Sequence, residues 1–116
     1  MILFVCGGRD YSDRAKIYKL LDKVHEHRHI DMIVNGDCNG ADKISTDWAK
    51  ANGVQPCLLP ALWVALGNSA GPIRNSKAVE LIRIDGAAAF GGGKGTGDAV
   101  KKLKKAGVRV WEIDRE

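Results

Sequence analysis

The chain begins with ILFVCGG at residues 2–8, a continuous apolar run that is closed by two glycines. A strand that is apolar at every position is typical of a parallel sheet that is covered by helices on both faces. The run lacks the basic head and the length of a signal peptide, so we interpret it as the first strand. Because such a strand needs parallel neighbours, the rest of the chain should alternate strands with helices.

The remaining sequence shows this alternation. Further strands are predicted at Asp31–Asn35, Val54–Leu59, Asp85–Phe90 and Val108–Ile113. Helices are predicted from Ser12 or Asp13, from Asp42 or just before it, with Pro72 in the first turn and an end at about Arg83, and over Thr96–Ala106. The stretch Ala61–Gly71, which contains Trp63, is predicted to be an irregular connection.

Five strands with helical crossovers predict one α/β domain over residues 1–116: a Rossmann-like, three-layer fold with helices on both faces of a parallel sheet. Right-handed crossovers favour the strand order 3-2-1-4-5. Strands 1 and 4 are then neighbours where the winding reverses, and open α/β sheets bind ligands at that point. The glycine turns that follow these strands, Gly7-Gly8-Arg9-Asp10 and Gly91–Thr96, should therefore meet.

The composition excludes some classes of protein but does not identify the function. The 116 residues are 45% hydrophobic and 28% charged, which excludes global disorder, and no apolar run is long enough to span a membrane. The cysteines at positions 6, 38 and 57 form neither a CxxC motif nor an even set, which favours a reducing, cytoplasmic location. A net charge of +4 is only a weak indication of an anionic partner.

The loop Gly91–Thr96 reads GGGKGT and precedes a predicted helix. Glycines let the backbone approach an anion closely, while the first amides and the positive dipole end of the helix face it. The loop is neither a Walker A motif nor GxGxxG, because Lys94 precedes the last glycine and Thr96 takes the sixth position. It therefore predicts a phosphate site, with a tight glycine turn that binds nothing as the alternative.

Three other residues are candidates for ligand contacts. Asp42, after a second glycine turn, either contacts a ribose hydroxyl or a base, or caps its helix. Arg74 follows small residues at a helix start, where its charge opposes the dipole; this favours a functional role over that of an ordinary surface arginine. Trp63 either stacks on a nucleobase or packs its own loop.

These motifs together resemble a known family. In order and spacing, along almost the whole chain, the sequence is similar to the small YspA-related branch of the SLOG superfamily. The motifs are Gly7-Gly8-Arg9-Asp10, Gly40-Ala41-Asp42, Ala70-Gly71-Pro72-Ile73-Arg74-Asn75 and Gly92-Gly93-Lys94-Gly95-Thr96. The superfamily includes the Lonely Guy phosphoribohydrolases, a DNA-processing protein that binds single strands, and sensors of nucleotide signals. The resemblance implies a Rossmann-like fold and a nucleotide or nucleotide-derived ligand.

The resemblance also assigns roles to particular residues. It implies that Gly92, Gly93, Gly95 and Thr96 form the phosphate loop. It places Arg74 at the conserved arginine of the hydrolases, and it matches Arg9 and Asp42 to signatures of the small branch. The hydrolase glutamate is replaced by Ala99, whereas Asp98 supplies the acid that the small branch has one position earlier.

Three functions follow from these observations. The first is a sensor or sequestering protein that binds a nucleotide or nucleotide-derived small molecule. The second is an N-glycosidic hydrolase of a nucleoside monophosphate, with Arg74 on the phosphate and Asp98 or Asp42 as the acid. The third is a single-stranded nucleic acid binder that uses the lysines of the last helix. Binding is preferred because the hydrolase glutamate is absent and because the lysines read as a solvated helix face.

The expected ligand-binding residues are Gly7, Gly8, Arg9, Asp10, Gly40, Asp42, Trp63, Arg74, Asn75, Gly92, Gly93, Lys94, Gly95 and Thr96. We expect no cofactor, no metal, no membrane contact and no nucleic acid partner. The histidines at positions 25, 27 and 29 are interpreted as a helix end and not as a metal site. A homodimer is expected, because the connection around Trp63 offers apolar surface and because SLOG relatives often pair.

Overall fold

A computed structural model of the chain describes residues 1–60 and 67–114. Within these residues five strands form one sheet: β1 (Ile2–Gly7), β2 (Met32–Asn35), β3 (Gln55–Leu58), β4 (Gly86–Phe90) and β5 (Arg109–Ile113). The helices of the same residues are α1 (Arg14–His27), α2 (Ala41–Ala51), α3 (Ala70–Leu81) and α4 (Lys94–Lys105), and a 3₁₀ turn (Gly67–Ser69) precedes α3.

All strand pairs are parallel, and their order is β3-β2-β1-β4-β5. The predicted fold class and strand order are therefore confirmed. β1 lies at the centre of the sheet, where Phe4 pairs with Val34 of β2 on one side and with Ala87 of β4 on the other. This position explains why β1 is apolar along its whole length.

Two apolar cores lie on opposite faces of the sheet. Under α1 and α2, the side chains of Ile17, Leu21 and Trp48 pack on Leu3 and Val5 of β1. On the other face, Phe4 packs with residues of α3 and α4. Successive residues of β1 thus face alternate cores, as the two-residue period of a strand requires. Among the described residues, no helix combines the length and the apolar character that crossing a membrane requires.

Two helices begin earlier than the sequence predicts. α3 begins at Ala70 and keeps Pro72 inside its first turn, where a missing N–H costs no helix hydrogen bond. α4 begins at Lys94 instead of Thr96, with Gly93 as its N-cap. Glycine has a low helix propensity, so the GGGKGT pattern did not reveal this turn. As a result, Lys94 and Thr96 both lie in the first turn of α4.

The predicted irregular connection Ala61–Gly71 is partly wrong, because residues 67–71 form the 3₁₀ turn and the start of α3. Trp63 lies outside the described residues, so its predicted contact with a base stays a prediction.

A buried asparagine anchors the start of α2 to the sheet. Asn35, the last residue of β2, is fully buried, and its Nδ2 donates to Ser45 Oγ (3.0 Å) and to Thr46 Oγ1 (2.9 Å). The same nitrogen lies 3.1 Å from the carbonyl oxygen of Asp42. Asn35 Oδ1 accepts a hydrogen bond from the amide of Asp37 at 2.9 Å. These bonds fix the turn between β2 and α2.

Asn35→Ala should lower the free energy of unfolding by at least about 2 kcal/mol, because it leaves buried polar groups unpaired. Asn39→Ala is the matched control in the same turn, and its effect should stay within about 0.5 kcal/mol because Asn39 is exposed. Urea denaturation measures both values. Equal effects of the two substitutions would contradict the anchoring role.

Candidate functional site

A cavity of about 700 Å³ lies beyond the carboxyl ends of β1, β2 and β4. Its lining residues come from β1, from the turns that follow the three strands, and from the N-terminal parts of α2, α3 and α4. The position is the point where the winding of the sheet reverses, which is the usual ligand site of open α/β folds. The volume is within the range of small-molecule pockets.

Most of the predicted ligand-binding residues line this cavity. Those that do are Gly7, Gly8, Arg9, Asp42, Arg74, Asn75, Gly93, Lys94, Gly95 and Thr96. Asp10, Gly40 and Gly92 are not among the lining residues. Of these, Gly40 and Gly92 lie in close contact with lining residues, Gly40 with the turn after β1 and Gly92 with Thr96.

The glycine turns meet as the sequence predicts. The amide of Gly8 donates to the carbonyl oxygen of Phe90 at 3.0 Å, which joins the turn after β1 to the end of β4. Gly40 has a φ of 76°, and a side chain there would overlap the carbonyl oxygens of Gly8 and Arg9. Glycine at position 40 therefore allows the turn before α2 to lie directly on the turn after β1.

The start of α4 presents hydrogen-bond donors to the cavity. Gly93, Lys94, Gly95 and Thr96 all line it, and the first turn of α4 has neither a side-chain cap nor an acidic residue. The Thr96 side chain packs against Gly92, whose φ is 101°. Thr96 is only 7% exposed, yet its hydroxyl makes no hydrogen bond with any residue that the structure describes. Because no fully buried side-chain oxygen is left unpaired in the described ranges, this hydroxyl keeps contact with solvent.

Arg74 is fixed by two hydrogen bonds. Its Nε donates to Asn75 Oδ1 at 2.7 Å, and its Nη1 donates to the carbonyl oxygen of Leu59 at 3.2 Å. The guanidinium lies against Gly36, where any side chain would collide with it. The Nη2 group donates to no residue in the described parts of the chain, so it is available to a ligand.

Asn75 joins Arg74 to the first turn of α4. It is 2% exposed, and its Nδ2 donates to the carbonyl oxygen of Gly95 at 3.2 Å and to Asp98 Oδ2 at 3.0 Å. The side-chain amide therefore holds the guanidinium at a fixed position relative to the glycine loop.

Asp42 is a buried carboxylate in the wall that follows β2. Its Oδ2 accepts hydrogen bonds from the amides of Gly36 and Cys38, each at 3.2 Å. Burial raises the pKa of Asp42 to about 6, although the two amides and the charge of Arg74 act in the opposite direction. The N-cap of α2 is Gly40, so the alternative in which Asp42 caps its helix is wrong.

Asp98, the candidate catalytic acid, is not among the residues that line the cavity. Its carboxylate binds Lys102 Nζ at 2.9 Å and the amide of Asn75. Ala99 does line the cavity, since neighbouring side chains on a helix differ in direction by about 100°. The position from which a hydrolase glutamate would reach into the cavity is thus occupied by a methyl group.

Sequence reasoning missed two features of the site. The sequence places Gly36 in the glycine turn after the second predicted strand, but its contact with Arg74 exists only because α3 packs against the end of the sheet. The role of Asn75 as a link between Arg74 and Gly95 depends on the same packing. A small residue after β2 and an amide beside an arginine are the only sequence signals, and both are common.

Two of the three histidines, His25 and His29, pack against each other near the end of α1. His25 Nδ1 accepts a hydrogen bond from the amide of Ile30 at 2.9 Å, and the His25 ring meets Trp48 edge to face. In the parts of the chain that the structure describes, no group of His, Cys, Asp or Glu side chains is arranged to hold a metal ion.

A comparison with protein families assigns the chain to a family. The YspA, cpYpsA-related SLOG family matches residues 1–65, more than half of the chain. The chain belongs to this family. The match includes the turns of this SLOG protein that carry Gly8 and Asp42, whereas the motifs around Arg74 and Lys94 lie beyond it. The resemblance expected along almost the whole chain is therefore shown for residues 1–65. Searches of curated proteins and of solved structures found no match.

The raised pKa of Asp42 predicts a pH-dependent stability. The group favours the folded state fully below about pH 4, and this contribution is lost as the pH rises through about 6. Asp42→Asn removes the charge while an amide oxygen can still accept from Gly36. The stability of the wild type relative to Asp42→Asn should therefore fall by about 2 kcal/mol between about pH 4 and about pH 7.5. Urea denaturation across this range measures the difference, and parallel profiles would contradict a raised pKa.

Proposed function

We propose that this SLOG protein binds a nucleotide or a nucleotide-derived small molecule that carries at least one phosphate, and that it senses or sequesters that molecule. The observation that carries the proposal is the Thr96 hydroxyl. This hydroxyl has no hydrogen-bond partner among the described residues, and Thr96 is more than nine-tenths buried, in the first turn of α4 and in the wall of the cavity. A phosphate oxygen would satisfy this hydroxyl.

The surroundings of Thr96 favour an anion. The amides at the start of α4 and its positive dipole end face the cavity, in the arrangement that binds phosphate at helix N-termini. Lys94 lines the same wall, is exposed, and makes no ion pair with any described residue. Arg74 adds a second cation whose Nη2 donors are available. The cavity is large enough for a sugar and a base beyond the phosphate.

The hydrolase alternative has less support. A phosphoribohydrolase needs a carboxylate beside the anomeric carbon, and α4 supplies only Ala99 to the cavity. Asp98 holds Asn75 and Lys102 instead. Asp42 is the remaining acid in the wall; its Oδ2 accepts from two backbone amides, so only its Oδ1 is available to a ligand.

Binding of single-stranded nucleic acid also has less support. On α4, Lys102 pairs with Asp98 and Lys104 pairs with Glu112 at 2.7 Å, so two of its lysines already have acidic partners. No aromatic residue interrupts the lysines of this helix, whereas single-strand sites use aromatic rings to stack bases.

Two further expectations stay proposals. A homodimer was inferred from the connection around Trp63, which lies outside the described residues; a dimer mass in light scattering would support it and a monomer mass would count against it. A cytoplasmic location rests on the cysteine usage, and among the described residues Cys6, Cys38 and Cys57 form no disulfide.

Adenosine monophosphate should raise the melting temperature of the wild type, with a gain of about 2.7 kcal/mol at 100 times Kd. Gly93→Val should abolish this shift, because a branched side chain fills the approach to the amides. The fold tolerates a side chain there, since nothing lies within 4 Å of a Cβ at position 93.

A lysine pair supplies the matched control. Lys94→Ala should weaken binding, whereas Lys101→Ala removes an equal charge from the same helix outside the cavity and should leave binding unchanged. Two results would show that this loop is not part of the binding site. One is an equal rise of the melting temperature in the wild type and in Gly93→Val, and the other is an equal loss of affinity in the two lysine variants.

Prolonged incubation with adenosine monophosphate, or with its N6-prenylated form, should release no free base, because no carboxylate on α4 faces the cavity. Chromatography of the products checks this, with Asp98→Asn and Arg74→Ala as controls. Multiple turnovers that Asp98→Asn abolishes would make the protein an enzyme.

A further inference from the structure

We propose that Asp42 and Arg74 together bind the sugar hydroxyl groups of the ligand, so that the protein selects nucleotides with a free ribose diol. The inference rests on the proposed function, because it needs a phosphate at the start of α4. It adds a second recognition point in the wall that follows β2.

The two oxygens of Asp42 differ in their surroundings. Oδ2 accepts from the amides of Gly36 and Cys38, whereas Oδ1 accepts no hydrogen bond from any residue in the described ranges. Asp42 is only 6% exposed, and it lines the cavity. Since no fully buried side-chain oxygen in these ranges is unpaired, the small exposed part of Asp42 includes Oδ1. Asp42 thus brings to the cavity wall an acceptor that has no donor among the described residues.

Arg74 lies near this acceptor without contacting it. Its charge acts on the carboxylate of Asp42, yet the two side chains form neither a hydrogen bond nor an ion pair. Both nevertheless adjoin Gly36: Arg74 packs on it, and Asp42 accepts its amide hydrogen bond. The two groups therefore flank one part of the cavity wall and leave a gap between an acceptor and a set of donors.

A hydroxyl group has the chemistry that fits this gap. It donates to a carboxylate oxygen and accepts from a guanidinium at the same time. A phosphate only accepts, and the charge of Asp42 repels it. A ribose diol supplies two adjacent hydroxyls, so one bonds to Asp42 Oδ1 while the other accepts from Arg74 Nη2.

The structure also links this gap to the proposed phosphate site. Arg74 is held by Asn75, and Asn75 donates to the carbonyl oxygen of Gly95 in the first turn of α4. One side-chain amide therefore sets the position of the sugar-binding arginine relative to the phosphate-binding amides. A ligand that carries both a phosphate and a ribose diol can therefore bind the start of α4 and Arg74 at the same time.

Protonation of Asp42 should change with the ligand. The charged and titratable groups around Asp42 are Arg74 from α3, Asp37 and Cys38 from the turn after β2, and Arg9 from the turn after β1. Asp37 is itself paired with Lys43 at 2.9 Å. A hydroxyl that donates to Oδ1 favours the ionised carboxylate, so preference for the diol should grow as Asp42 loses its proton.

The test compares two probes, adenosine monophosphate and its 2′,3′-dideoxy form, by isothermal titration calorimetry. Both carry the same phosphate, so titration of the phosphate cancels in the ratio of their dissociation constants. The wild type should prefer the diol by roughly tenfold or more at about pH 7.5, the range for hydrogen bonds to charged groups. The preference should shrink at about pH 5, where Asp42 is protonated.

Asp42→Asn supplies the matched variant. Its preference for the diol should be small and independent of pH, because the neutral amide does not titrate. Equal affinity of the wild type for both probes at both pH values would overturn the inference while phosphate binding stands. If Asp42→Asn does not fold, the comparison of the two probes on the wild type at both pH values is sufficient to test the inference. Failure of both probes to bind would overturn the proposed function and this inference together.

Discussion

The close approach of backbone turns around one cavity is the constraint on which the rest of the structure depends. The turn before α2 lies on the carbonyl oxygens of Gly8 and Arg9, and a side chain at position 40 would prevent this. Gly36 and Gly92 leave room for side chains instead: the guanidinium of Arg74 packs on Gly36, and the side chain of Thr96 packs on Gly92. Because these positions have no side chain, polar groups from four elements reach a common space.

Electrostatics within that space are uneven. The wall at the start of α4 carries amides, a hydroxyl and Lys94, all of which favour an anion. The wall that follows β2 carries the carboxyl group of Asp42. Burial makes its ionised form unfavourable and so raises its pKa to about 6. Arg74 contributes a cation to the same cavity, and its hydrogen bond with Asn75 orients it relative to the start of α4. A ligand with an anionic end and a hydroxyl-bearing part matches this distribution better than a simple anion does.

The sequence was sufficient for the fold because its signals are local and repeated. A strand that is apolar at every position, such as β1, needs neighbours on both sides and cover on both faces, and the structure provides them. The start of α4 was placed two residues late, because a first turn that contains glycine looks like a loop. The direction of Asp98 relative to Ala99 follows from helix geometry and was predictable as soon as the helix was assigned.

Other features of the site depend on contacts between distant segments. Gly36 and Arg74 are 38 positions apart, and their contact exists only because α3 returns to the end of β2. The difference between Asp42 Oδ2, which accepts two backbone hydrogen bonds, and Oδ1 likewise arises only in the folded turn. No local pattern records such relations.

The central claim is that the start of α4 binds the phosphate of a nucleotide. The direct measurement is a titration of ¹⁵N-labelled protein with adenosine monophosphate, with unphosphorylated adenosine as the comparison. The account predicts that the amide signals of Lys94, Gly95 and Thr96 move with the phosphorylated ligand and stay in place with adenosine. Unchanged signals at these three amides while signals elsewhere move would contradict it.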